Sequence, residues 1–152
     1  MIIEQALERD LLDILELQKL AYQSEAEIYN DYSIPPLTQT LDEIKEDFKK
    51  PFRVFLKAAI KNKIIGSVRG YKEKDTCYIG RLIVHLDFEN QGIGTKLLKE
   101  IEANFDDVKR YELFTGHKSE KNLYLYKKLG YREFKKEVIH ENLHMIHLEK
   151  KK

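Results

Sequence analysis

Apolar positions change their spacing along this chain, and each change marks an element. Ile2 to Ala6 alternate as a short strand. Leu11, Ile14, Leu15, Leu17 and Leu20 then recur at helical spacing, predicting a helix from an Asp10 cap to about Glu25. The segment Asn30 to Pro36 reads as a loop, because paired prolines cannot sit inside a helix or a central strand. Thr40 caps a second helix carrying Leu41, Ile44 and Phe48 on one face, and Pro51 ends it. From Phe52 the pattern is extended. Residues 52–60 and 64–71 are rich in Val, Ile and Phe, with a turn at Lys61-Asn62-Lys63, and a further extended run covers 76–85.

A third amphipathic helix opens at Gly92, with Ile93, Leu97, Leu98, Ile101 and Phe105 as its stripe. A strand over 111–115 leads to a short helix between Ser119 and Leu129, which Gly130 terminates. Ser119 reads as its N-cap. Two last strands, 131–139 and 143–149, form a hairpin around Glu141-Asn142, and the terminal lysines 150–152 are expected to fray. The order β-α-α-β-β-β-α-β-α-β-β predicts a mixed α/β sheet built as one domain over residues 1–152.

Composition narrows the function classes. The chain of 152 residues carries 27 Lys and Arg against 26 Asp and Glu, a net charge of +1. That balance argues against a broad nucleic-acid-binding surface, which needs a basic excess. Cys77 is the only cysteine, so an intrachain disulfide is impossible and a thiolate metal site is not expected. No apolar run approaches the ~20 residues that span a bilayer, and Met1-Ile2-Ile3-Glu4 does not begin like a signal peptide, so the expectation is a cytoplasmic protein with no membrane partner. The average hides a gradient: residues 1–50 hold 5 basic and 12 acidic side chains, net −7, and the remainder holds 22 and 14, net +8. This is either surface composition or a site whose two mouths prefer opposite charges.

The chemistry is concentrated in one segment. An apolar strand ends at Val84-His85, a polar loop follows, and Gly92-Ile93-Gly94-Thr95 opens a helix. Glycine is unfavourable in a helical turn, so two of them there need a reason. Lacking Cβ, they let another group approach a helix end whose free N–H groups attract anions. The segment therefore reads as a phosphate or pyrophosphate cradle. A P-loop would need Gly-Lys-Ser/Thr, which is absent, and a dinucleotide fingerprint would need glycine where Leu97 stands.

These residues resemble the GNAT superfamily of acyl-CoA-dependent N-acyltransferases. Glu89-Asn90-Gln91-Gly92-Ile93-Gly94 is similar to its Gln/Arg-x-x-Gly-x-Gly/Ala pyrophosphate motif, with Glu at the first position and Leu86 where the family commonly has Pro. Leu125-Tyr126-Lys127-Lys128-Leu129-Gly130-Tyr131 is similar to the family's Leu-Tyr-x-x-Leu-Gly-Phe/Tyr segment. A frequent family Asn falls on Ser119, with Asn122 one turn later. The resemblance implies a splayed central strand pair, with Leu82, Ile83 and Val84 on one side of bound pantetheine. It implies acetyl-CoA as co-substrate, held by these three residues and by Glu89, Asn90, Gln91, Gly92, Ile93, Gly94, Thr95 and Asn122, with no metal. It implies Tyr126 as general acid for the departing thiolate, a role suited to a phenol of unperturbed pKa ~10. Homodimers are common among relatives.

The general base is not fixed by the sequence. Glu25, Glu27 and His117 are candidates for steering or deprotonating an amine. His85, beside the glycine loop, either touches the cofactor or caps the strand end. His140, His144 and His147 cannot share a face of a hairpin strand and are not read as a metal site, and Cys77 is read as a core residue. The leading expectation is an enzyme that acetylates a primary amine on a cationic small molecule or peptide. The alternative is an inactive acyl-CoA-binding sensor or partner module. A nucleic-acid modifier is disfavoured by the charge.

Overall fold

The computed structural model describes residues Met1 to Lys152. Strand β1 (Ile2–Gln5) is followed by a 3-10 turn and by helices α1 (Leu11–Ala21), α2 (Gln23–Tyr29), α3 (Pro35–Thr38) and α4 (Leu41–Lys49). Strands β2 (Arg53–Ile60), β3 (Lys63–Glu73) and β4 (Thr76–Val84) lead through a short 3-10 turn to α5 (Ile93–Asn104). Then come β5 (Arg110–Gly116), α6 (Glu120–Lys128), β6 (Arg132–His140) and β7 (Leu143–Lys151). The predicted mixed α/β sheet is found. Its seven strands lie in the order β1-β2-β3-β4-β5-β7-β6, antiparallel throughout except for β4 and β5.

The core follows the apolar stripes. Leu97, Leu98 and Ile101 of α5 pack fully buried against Leu56, Ile65 and Val68 of the sheet. Leu11, Ile14 and Ile44 join Phe55 in a second cluster formed by α1, α4 and β2. Thr40 caps α4 as read from sequence: its Oγ1 accepts the Glu43 N–H at 3.2 Å, and Glu43 Oε1 accepts the Thr40 N–H at 2.9 Å. Asp10 precedes α1 but does not cap it; its carboxylate accepts from the Leu7 N–H at 2.7 Å and from Lys57 Nζ at 2.8 Å.

Three boundaries differ from expectation. The first helix breaks at Tyr22 and resumes as α2, which ends on a left-handed Asn30. Pro35 and Pro36 start helix α3 instead of lying in a loop, since a helix's first turn has no use for the missing N–H. The C-terminus does not fray. Lys150 pairs with Tyr111 in the β5–β7 ladder, its ammonium lies 2.7 Å from Glu102, and the Lys152 N–H reaches the Lys109 carbonyl.

Part of the charge gradient is offset by pairing between the two parts of the sequence. Asp10 meets Lys57, and Asp47 is shared by Arg53 and Arg69.

Candidate active site

Strands β4 and β5 pair over only three positions, Thr76 with Arg110, Cys77 with Tyr111 and Tyr78 with Glu112. Beyond Tyr78 they part, and the edge of β4 facing β5 has no strand partner. A cleft occupies the gap. Gly80, Arg81 and Leu82 line it from β4, Phe114 and Thr115 from β5, and Tyr126 from α6. Helices α2 and α3 contribute Glu25, Tyr29 and Pro36.

A bulge shapes the β4 wall. Ser67 of β3 pairs with Ile83 and Arg69 pairs with Gly80, so Arg81 and Leu82 together oppose Val68. Arg81 adopts φ 52, a left-handed conformation uncommon for a residue with a side chain. The glycine loop follows at the end of β4. Asn90 has φ 63, and Gly92 is the N-cap of α5 with φ 77. A Cβ built on Gly92 would meet no atom of the chain, so the cradle is open. One on Gly94 would touch Leu125 Cδ2 at 3.6 Å and Val84 Cγ2 at 4.0 Å, an ordinary contact.

Tyr126 is buried, and its hydroxyl makes no hydrogen bond within the chain. Burial, with the nearby Tyr22 and Glu25 adding to it, raises its pKa well above the ordinary 10. Glu25 is half-buried and accepts from Ser119 Oγ at 2.6 Å. Asn122 lines the cleft and donates to Thr115 Oγ1 at 3.2 Å.

The residues singled out from sequence divide accordingly. Tyr126, Leu82, Asn122 and Glu25 come together in the cleft. Glu89, Asn90, Gln91 and Gly92 form an exposed loop at the start of α5, with Thr95 half-buried in its first turn. Ile83 and Ile93 are buried, with Ile93 in the main core, so each could meet a ligand only through its backbone. Glu27 is exposed and outside the cleft lining. His117 stacks on His144 with ring centroids 4.5 Å apart, and its Nδ1 accepts the His144 N–H at 2.9 Å; it too is outside the lining.

Ser119 stands at the start of α6 but makes no side-chain cap, because its hydroxyl is turned to Glu25 and Tyr29. His85 caps the following turn by accepting the Asp87 N–H at 3.1 Å. His140 meets Asp31 and His147 meets Glu137, so the three late histidines have separate partners. Cys77 is fully buried, and burial pushes its thiol up to about 12. Sequence reading missed Arg81, Tyr22 and Tyr29. Gly80 inside a strand pattern was the available signal of a bulge.

Solved structures share this architecture from end to end. A Streptococcus mutans protein, smu.2055, superposes with TM-score 0.85 at 18% identity, covering 99% of each chain. The ribosomal-protein-S18-alanine N-acetyltransferase of Escherichia coli gives 0.80 at 14% identity, covering 99% of this chain and 92% of its own. The PaiA N-acetyltransferase of Thermoplasma acidophilum, solved in complex with coenzyme A, gives 0.81 at 17% identity with both chains covered completely. At these identities the likeness establishes the fold. No functionally curated sequence matches the chain. The sequence profile of the acetyltransferase (GNAT) domain matches residues 22–152, which takes in the cleft, the glycine loop and both diverging strands. The chain belongs to the GNAT acetyltransferase family.

Proposed function

We propose that this protein transfers an acetyl group from acetyl-CoA to a primary amine on a small molecule or peptide. The observation that carries the reading is the meeting of three features: the gap between β4 and β5, the open glycine cradle at its end, and an unpartnered Tyr126 hydroxyl within it. A fold neighbour solved with coenzyme A and another that acts on ribosomal protein S18 support it.

The residues present fit this co-substrate. Gly92 leaves room for a pyrophosphate over the first turn of α5, where N–H groups lack intrahelical partners. The unpaired edge of β4 from Ile79 to Val84 offers backbone groups to an amide-bearing chain such as pantetheine. Acetyl-CoA supplies the thioester carbonyl and the thiol leaving group. Tyr126 Oη holds the proton that the departing sulfur requires, and its raised pKa keeps that proton in place at neutral pH. Glu25 presents a carboxylate to the acceptor's ammonium, and Ser119 fixes its orientation.

The test is thiol release from acetyl-CoA with polyamines, amino sugars, amino acids and lysyl peptides, with the N-acetyl product confirmed by mass. Turnover that requires the amine supports the proposal. Coenzyme A binding without turnover on the whole panel would reject it in favour of a sensor.

A further inference from the structure

Arg81 is the cation in the cleft that the fold leaves without a counter-ion. Arg53 and Arg69 share Asp47, and Arg110 lies between Glu112 and Glu149. Arg81 has no such partner, and its Nε is buried with no hydrogen bond. A buried guanidinium N–H without an acceptor is costly, and the residue as a whole is only half-buried, so a group that offsets this charge would meet the guanidinium at its accessible end. The backbone is distorted at the same residue: the β4 bulge and φ 52 take Arg81 out of strand alternation, and the residue lines the cleft.

The surroundings restrict what that group can be. Arg69 lies close enough that burial and the Arg81 charge together lower its pKa to about 10. Asp47 pairs with Arg53 and Arg69 and makes no ion pair with Arg81. Arg81 and Glu25 are the two charged residues that line the cleft, and Tyr22 lines it with them. The cleft therefore offers one carboxylate to a cation and one guanidinium to an anion.

We propose that Arg81 holds a carboxylate carried by the acceptor, so that the substrate is an amino acid or short peptide presenting an amine and a carboxylate together. The inference rests on the amine-acetylation reading above and specifies its substrate class. A guanidinium edge pairs with a carboxylate through two parallel N–H donors. One unpaired cation in a cleft that also holds Glu25 matches a single negative charge better than a phosphate dianion. Such an acceptor carries both signs, so the acidic first third of the chain does not by itself select a polycation.

The experiment compares kcat/KM for amino acids and dipeptides with the same compounds as C-terminal carboxamides, and with phosphoethanolamine. It uses the wild-type protein, Arg81→Gln and Arg81→Lys. Both replacements bear the same left-handed backbone strain as arginine, and thermal unfolding confirms that they fold. The wild type is expected to favour the free acid over its carboxamide by about 10- to 100-fold, the range for a charge-assisted hydrogen-bonded pair. Arg81→Gln should abolish that ratio, and Arg81→Lys should keep part of it. Acetyl transfer that ignores the carboxylate would overturn this inference and leave the proposed function standing. So would a preference for phosphoethanolamine, or a preference for acids that survives in Arg81→Gln. A defect expressed only as a higher KM for acetyl-CoA would move Arg81 to the donor side and overturn it too. Absence of turnover with every compound would remove both proposals.

Discussion

The Tyr29 hydroxyl lies 2.7 Å from Ser119 Oγ, joining residues 90 positions apart. Tyr29 Oη also accepts the Lys118 N–H at 2.9 Å, and Ser119 Oγ donates onward to Glu25 at 2.6 Å. The proton directions are consistent along the chain, from Lys118 N–H to Tyr29, to Ser119, to the Glu25 carboxylate. This relay ties α2 to the loop before α6, and so fixes Glu25 relative to Tyr126.

Tyr29→Phe should therefore loosen Glu25 while leaving the apolar packing of the ring. The buried bonds lost are worth about 1–3 kcal/mol, because the Lys118 N–H is left without its acceptor. Chemical denaturation reads that cost. In the acetyl-transfer assay the variant should raise the amine KM more than the acetyl-CoA KM. Gly116→Ala should do the same more severely, since its Cβ would lie 2.1 Å from the Tyr29 hydroxyl oxygen.

Tyr126→Phe should lower kcat by about 100- to 10,000-fold, the usual range for a lost general acid. The acetyl-CoA KM should move little. A group acting as an acid fails above its pKa, and that of Tyr126 is raised above 10. The wild-type kcat should consequently show no fall attributable to this phenol up to about pH 10. An alkaline limb near pH 8 that persists in Tyr126→Phe would assign the limb to another group.

Gly92→Val separates backbone strain from ligand contact. The positive φ of 77 makes any side chain unfavourable there, by about 1–2 kcal/mol. The added Cβ meets no atom of the protein within 4 Å, so it brings no clash of its own. Its methyls would instead occupy the space above the first turn of α5. Calorimetry should show coenzyme A affinity reduced at least ~10-fold in a variant that remains folded. Affinity equal to wild type would remove the cradle from the site.

Asp31 gives a pH dependence away from the cleft. Hydrogen bonds from the Ser33 hydroxyl and N–H, and then from His140, lower its pKa from 3.8 to about 2. A folded-state pKa below the unfolded one adds stability that is complete above pH ~4 and disappears as pH falls through about 2. Asp31→Asn should flatten the loss of thermal stability over that interval. At pH 7, where the contribution is complete, the variant should lose the same amount of stability that the wild type loses on acidification through this interval, a small one because exposed pairs are weak.

The amphipathic stripes, the Thr40 capping box, the hairpin turns and the glycine loop were legible because each rests on neighbours a few residues apart. Thr40 and Glu43 satisfy one another's backbone groups across a single helical turn. Leu97, Leu98 and Ile101 announce a buried face whatever they pack against. The same holds for Gly92 and Gly94, whose missing side chains mark a close approach without naming its partner. Tyr126 was identifiable through a family motif, although what surrounds its hydroxyl was not.

Tertiary structure decided which charges face the cleft and which do not. Glu25 and Glu27 look equivalent in sequence, yet residues two apart on a helix point about 160° from one another, and only Glu25 lines the gap. Ser119 had the credentials of a cap, but Tyr29 and Glu25, distant in sequence, compete successfully for its hydroxyl. Lys150 looked like a fraying tail until Glu102 and Tyr131 gave its ammonium a place. Arg81 is the clearest case. Gly80 beside it hints at an irregular strand, but only the register of β4 against β3 makes the bulge at Arg81, which lines the cleft. Local spacing fixes which face of an element is apolar; the partner of a charge is chosen by chain segments that meet only after folding.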